Sequence, residues 1–254
     1  MSFIRLIIRG ACFHWREHLG IVAGTAVTTA VLSGALLLGR SVDAVLRHAA
    51  LARLGKTTVA VDTDRRLFMA DLAERLSARL GQPSAVAPLL RLRAVAATVA
   101  GEADAAGGPA QAGRVQAIGI DERFWRLAFA AGATPADDKV LLNARLAGDL
   151  GVQVGDAIAL RIEVPSPLPS DAPLAGRRDE GYRRATLTVA GILGDDQLGR
   201  FGLAASQTAP RNAFVHLPVL QELCGCPGQA NTLLVATSDG MDAVGSVAKA
   251  LRDA

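Results

Sequence analysis

Residues 19–39 read LGIVAGTAVTTAVLSGALLLG, 21 consecutive residues without a charge. At about 1.5 Å per helical residue such a run spans about 30 Å, the hydrocarbon thickness of a bilayer. Half of the 254 residues are hydrophobic and the mean hydropathy is +0.29, high for a wholly soluble chain. The uncharged run holds that excess, so the reading is a membrane-attached protein with room for one large globular domain or two small ones. A cleaved signal peptide is the rival, but its apolar core covers only about 7–15 residues before a small-residue cleavage site. Here the run is longer and meets Gly39-Arg40, and Ser41-Val42-Asp43-Ala44 is a poor cleavage site. The segment is therefore read as a retained span.

Charge separates the two parts of the chain. Residues 1–40 hold Arg5, Arg9, Arg16 and Arg40 against Glu17 alone. Taking those from the chain's 27 basic and 24 acidic residues leaves 23 of each in the remainder. The pI near 9.0 thus belongs to the juxtamembrane part, and nucleic acid, which needs cations clustered on the globular part, is not an expected partner. Basic residues flank the span on both sides, with Arg40, Arg47, Arg53 and Lys56 following it, so the positive-inside count leaves orientation open. Three cysteines, Cys12, Cys224 and Cys226, are too few for a disulfide framework and leave the redox compartment open.

Before the span, Ile4, Ile7, Ile8, Ala11 and Trp15 share one helical face, while Arg5, Arg9 and Arg16 lie on another. Residues 1–18 are expected to form an amphipathic helix in the headgroup layer, with Arg5, Arg9, Trp15 and Arg16 at the interface. His14 and His18, four residues apart, lack a third ligand nearby and read as interfacial polar residues. Within the span, Gly20, Gly24 and Thr28 form a small-residue face on which another helix could pack closely.

Beyond the span, Val42, Val45, Leu46, Ala49 and Leu54 extend a helix that Gly55 should end. Residues 57–62 (TTVAVD) read as a strand, 67–80 as an amphipathic helix stopped by Gly81, and 86–99 as one or two strands around Pro88. After a Gly/Ala-rich loop at 101–113, residues 114–120 read as a strand, and Asp121 can cap a short turn carrying Phe124, Trp125 and Leu127. Residues 140–150 start extended and turn helical at Asn143, a good N-cap, with Gly151 as the stop. Strands follow at 157–164, 185–193, 213–217 and 231–236, a proline-rich loop at 165–181, and helices at 218–223 and 241–251.

No constellation for catalysis emerges. Lys56-Thr57 closes a GKT triplet, but Ala50 stands where a phosphate loop needs its first glycine, and a helix precedes it instead of a strand. Nucleophile-elbow and zinc-helix motifs are absent from the sequence. The adjacent carboxylates Asp137-Asp138 and Asp195-Asp196 read as solvated turns. Cys224 and Cys226 could join His216 on a metal or close a strained disulfide, and a loop pair without functional consequence is favoured over both. No catalytic, cofactor-binding or metal residue is expected, and the chain is not expected to be an enzyme.

The segments RVQAIGIDERFW, VLLNARLAGDLGVQVGDAIALRI and ATLTVAGIL, in that order, resemble the extracytoplasmic core domain of MacB/FtsX-like permeases of ABC transporters. The start, a charged elbow and a span ending GALLLGRSVDAVLRHAALARLG, is similar to a branch of bacterial permeases, as are DAPLAG and LGRFGLAASQTAPRNAFVHLPVLQE. The resemblance implies an α+β fold: one N-terminal transmembrane helix (19–39) after the amphipathic helix (1–18), then a mixed α/β domain over 40–254 made of two subdomains, with residues 114–217 as the insert. It places residues 41–254 outside the bacterial cytoplasmic membrane. It also implies as partners a cytoplasmic ABC ATPase subunit and the remaining transmembrane helices of the permease or a second permease copy. In such a fold a closing strand is expected beyond the last helix, and residues 41–254 alone should be only marginally stable. The function implied is a permease component whose outer domain binds or gates cargo and transmits movement driven by a separate ATPase. The alternative is a membrane-tethered binding or sensor module acting without one. A secreted enzyme with a cleaved signal would rest only on the N-terminus.

Overall fold

The computed structural model describes residues 9, 13–64, 66–81, 84–99, 110–164, 181–204, 206, 208–237 and 243–252. Most of the expected amphipathic helix, including Arg5, and the proline-rich loop at 165–180 lie outside the described residues. The chain divides into two compact units, Met1–Ala50 and Leu51–Ala254.

The first unit is dominated by α1 (Trp15–Ala52), a 38-residue helix without proline and about 57 Å long. It runs without a break through the residues expected to cross the membrane, and its membrane-length window is 0% buried. Thr25 donates its hydroxyl to Ile21 O at 3.0 Å, and Thr28 and Thr29 donate theirs to Gly24 O and Thr25 O at 2.8 Å, so the threonines within the apolar run are satisfied by the helix itself. Trp15 and Arg16 belong to this same helix. The helix stops where the sequence indicates: Gly55 adopts φ +59°, which the helix cannot continue through.

In the second unit the elements follow as β1 (Val59–Asp62), β2 (Phe68–Met69), α2 (Leu72–Leu80), β3 (Ala85–Thr98), β4 (Gln111–Ile120), a 3-10 turn (Phe124–Leu127), β5 (Lys139–Asn143), α3 (Ala144–Leu150), β6 (Ala157–Glu163) and β7 (Tyr182–Leu193). They continue with β8 (Arg211–His216), α4 (Leu217–Leu223), β9 (Gln229–Ala230), β10 (Thr232–Ala236) and α5 (Ala243–Arg252). Eight strands form one sheet in the order β1-β10-β3-β4-β8-β5-β7-β6, and β3 also pairs with β6. That last pairing closes β3, β4, β8, β5, β7 and β6 into a six-stranded barrel, while β10 and β1 extend the first half of β3 as a flank. At 14 residues, about 46 Å, β3 is long enough to serve both. Residues 85–89 pair with β10 and 90–97 with β4, and the register shift between Ala94 and Ala96 marks the bulge where β3 bends into the barrel. Pro88 falls in the half of β3 that has one strand neighbour, where its missing N–H does not interrupt two ladders.

The two-residue period of the strands sorts the core. On β4, Val115 and Ala117 face a cluster with Val140, Leu142, Leu160 and Val215, to which α3 adds Leu146 and Leu150. Ile118 and Ile120, on the opposite face of β4, join Phe124, Phe201 and Phe214 in a second cluster. Phe124 meets Phe201 edge-on at 5.9 Å between centroids and Phe214 at 5.8 Å. A third cluster packs Ala73 and Leu76 of α2 and Val247 of α5 on Leu233 and Val235 of β10.

One sequence expectation gives way to tertiary pairing. The helix expected from residue 67 starts at Leu72, because Phe68 and Met69 pair with Ala230 and Gln229, and Ala70 N donates to Gly228 O at 2.8 Å. A non-local ladder there overrides the local helical periodicity. Of the one or two strands expected over 86–99 the structure has one, Ala85–Thr98, held by pairing along its whole length.

Candidate functional site

Gly20, Gly24 and Thr28 stand four residues apart on α1 and so share one face. A Cβ built on Gly20 or Gly24 meets nothing within 4 Å, which leaves the helix backbone open to a close neighbour on that face. Arg9, Trp15 and Arg16 are exposed, Trp15 by 56%.

The second feature is the segment that follows α1. Residues 53–58 are fastened at successive points within the domain. Arg53 donates Nη1 to Ser206 O at 2.5 Å, Lys56 donates its backbone N–H to Leu127 O at 2.8 Å, and Thr58 donates both its N–H (2.8 Å) and its hydroxyl (3.0 Å) to Val235 O. Between these bonds, Gly55 lies so close that a Cβ would stand 2.4 Å from Leu127 O and 2.8 Å from Leu198 Cδ2. Both partners are buried members of the Phe124–Phe201–Phe214 cluster. Asn212, fully buried on β8, holds the facing turn by donating Nδ2 to Gly199 O (3.1 Å) and Phe201 O (2.8 Å). The segment is thus fastened onto the domain's core, with Leu54 packed against the same cluster. The sequence marks Gly55 only as a helix stop, and no local signal names its distant contacts.

The residues weighed for chemistry are dispersed. Lys56 of the GKT triplet sits in a turn whose amide is already engaged by Leu127 O. Asp195 pairs with Arg200 at 3.1 Å. His216 Nδ1 meets Asp137 Oδ1 at 2.7 Å, so the imidazole is occupied by a carboxylate. Among the described residues, no group of three or more His, Cys, Asp or Glu is placed to hold a metal. Cys224 and Cys226 are reduced and buried. Burial, reinforced by the neighbouring thiol, pushes Cys224 up to about 12, and burial also raises Cys226. A thiol is nucleophilic only as thiolate. In a Cys12→Ser background, iodoacetamide at pH 8 should therefore label the folded chain at least about a hundredfold more slowly than the urea-unfolded chain. Equal rates would contradict this burial.

No family model matches this chain, and no curated protein matches it. Among solved structures it is similar to the periplasmic region of MacB from Actinobacillus actinomycetemcomitans, at 12% identity over 78% of this chain and 85% of that one, with a TM-score of 0.46. It is also similar to the extracellular domain of the noncanonic ABC-type transporter YknZ from Gram-positive bacteria, at 11% identity over 77% and 94% of the two chains, again with a TM-score of 0.46.

Proposed function

We propose that the chain is a permease component of an ABC transporter, whose outer domain binds or gates cargo and passes on movement driven by a separate cytoplasmic ATPase. The observation that carries this reading is the fastening of residues 53–58 directly after a helix long and apolar enough to cross a membrane. A flexible linker at that place would absorb a displacement of the helix end; a segment bonded to Leu127 O, Ser206 O and Val235 O passes it to the core. The motifs quoted from the sequence support the same reading.

In this account residues 19–39 cross the bacterial cytoplasmic membrane, residues 1–18 lie on its surface through Arg5, Arg9, Trp15 and Arg16, and residues 41–254 stand outside, with 114–217 as the inserted subdomain. Gly20, Gly24 and Thr28 meet the remaining transmembrane helices of the permease or a second copy. An alkaline phosphatase fusion at Ala254 is expected to be active in bacteria; an inactive one, paired with an active cytoplasmic reporter, would reverse the topology.

The function is tested by retrieving the tagged chain from native membranes. An ABC ATPase should accompany it, and Gly24→Leu should reduce the recovery of partner spans while leaving insertion intact. Retrieval without an ATPase, and without dependence on Gly24, would favour a tethered sensor acting alone.

A further inference from the structure

The ladders of the barrel set two arginines face to face. Arg161 of β6 lies directly opposite Arg184 of β7, and on its other side Arg161 lies opposite Val95 of β3. Arg93 stands two residues from Val95 and so shares its face of β3, because side chains alternate along a strand. Arg93, Arg161 and Arg184 are all exposed. With neighbouring strands about 4.8 Å apart, these three positions fall within about 12 Å across three adjacent strands.

Like charges directly opposite each other weaken a ladder, and the charges here do not cancel. Strands β3, β6 and β7 carry Arg91, Arg93, Arg161, Arg183 and Arg184 against Glu163 alone. From outside these strands, Asp62 of β1 is taken by Arg91 at 2.9 Å. Arg93 and Arg184 have no ion-pair partner among the described residues. The Tyr182 ring lies under Arg161, whose Cζ is 4.4 Å from the ring centroid, and holds that guanidinium in place. By sequence, the loop joining β6 to β7 adds Asp171, Asp179 and Glu180 against Arg177 and Arg178, which leaves the surplus positive. Residues 41–254 as a whole are balanced, so this face concentrates charge that the composition does not show.

We propose that this outer face of the barrel docks an acidic segment of a partner protein, its carboxylates on Arg93, Arg161 and Arg184. A planar guanidinium pairs with a carboxylate through two N–H groups, and a carboxylate set between Arg161 and Arg184 turns their repulsion into attraction. The outer side of a barrel is convex, so it presents a surface to a macromolecule and encloses no small ligand. A membrane fits less well. Val95, Ala97 and Thr186 stand among the arginines, where insertion into the acyl layer calls for Trp, Phe or Leu. The assignment goes beyond the transport reading and stands whether or not an ATPase acts on the chain.

The test is fluorescence anisotropy of the full chain in phosphatidylcholine nanodiscs with two labelled peptides, alternating Glu-Thr and alternating Gln-Thr, each about eight residues long so that an extended chain spans the three strands. At about 20 mM salt the Glu peptide should bind at least about tenfold more tightly, and about 0.5 M salt should remove the difference. Arg93→Gln and Arg184→Gln should each weaken the Glu peptide about threefold, the scale of one exposed ion pair. Thr186→Arg, at an exposed position two residues from Arg184, should strengthen it about threefold, an effect of opposite sign that a misfolded variant would not produce. Lys249→Gln removes the same charge from α5 and should change nothing. No binding of the Glu peptide at about 5 mM, equal affinity for the two peptides, unaffected Arg93→Gln and Arg184→Gln, or equal weakening by Lys249→Gln would each overturn the proposal. Binding of polyphosphate without the Glu peptide would overturn it too, and assign the face to a phosphate polymer.

Discussion

Replacing Gly55 by alanine should destabilise the domain by about 3 kcal/mol and lower its melting temperature by about 6–12 °C. Part of that cost is conformational, since a non-glycine residue at φ +59° loses about 1–2 kcal/mol. The rest is contact. The new Cβ would stand 2.4 Å from Leu127 O, a backbone atom that can retreat only by breaking its 2.8 Å bond from Lys56 N. Losing that bond costs about 1 kcal/mol more. Gly225 supplies the control: it has φ +66° and open space around its Cβ position, so Gly225→Ala should cost only about 1 kcal/mol. Equal losses for the two variants in thermal melts would mean that the segment after α1 is not locked against the core.

Asn143→Ala is expected to be at least as damaging, at about 3–5 kcal/mol. This side chain is 2% exposed and serves three backbone groups at once. Its Oδ1 accepts from Leu146 N and Asn212 N, each at 3.1 Å, and its Nδ2 donates to Pro210 O at 2.7 Å. The first bond caps α3 and is worth about 1 kcal/mol. The other two tie β5 to β8 and the strand's approach, and removing the side chain leaves a buried donor and a buried acceptor unpaired, at about 1–3 kcal/mol each. Asn143→Ser restores the cap and should recover only the first share. Full recovery by serine in denaturant titrations would show that the cross-strand bonds contribute nothing.

Asn143 also shows how far the sequence can be read. An asparagine before Ala144-Arg145-Leu146, with Gly151 closing the segment, announces a capped helix, and Gly151 adopts φ +68° as that ending requires. The second role of Asn143, as a bridge to Asn212, comes from the pairing of β5 with β8 across some seventy residues, for which no local pattern exists. The same distinction runs through the fold. The apolar run from Leu19, the stop at Gly55, and the alternating strand at β4 are all set by neighbours within a few residues and were readable. Barrel closure was not, because it depends on Ala94–Thr98 meeting Ile158–Ile162, and alternation fixes which face of a strand is buried without naming its partner. The short ladder of Phe68–Met69 with Gln229–Ala230 was hidden for the same reason. At the sites, Gly20, Gly24 and Thr28 were visible as a spacing.

The central claim is that the chain leaving α1 moves with the core of the domain that follows it. Hydrogen exchange of the full chain in nanodiscs tests it at the amides of Lys56 and Thr58, which donate to Leu127 O and Val235 O. Both should exchange within about tenfold of the barrel amides of Val115 to Ile118, because they open only with the core. Exchange at the rate of exposed turns, with the barrel still protected, would make residues 53–58 a flexible tether and contradict the account.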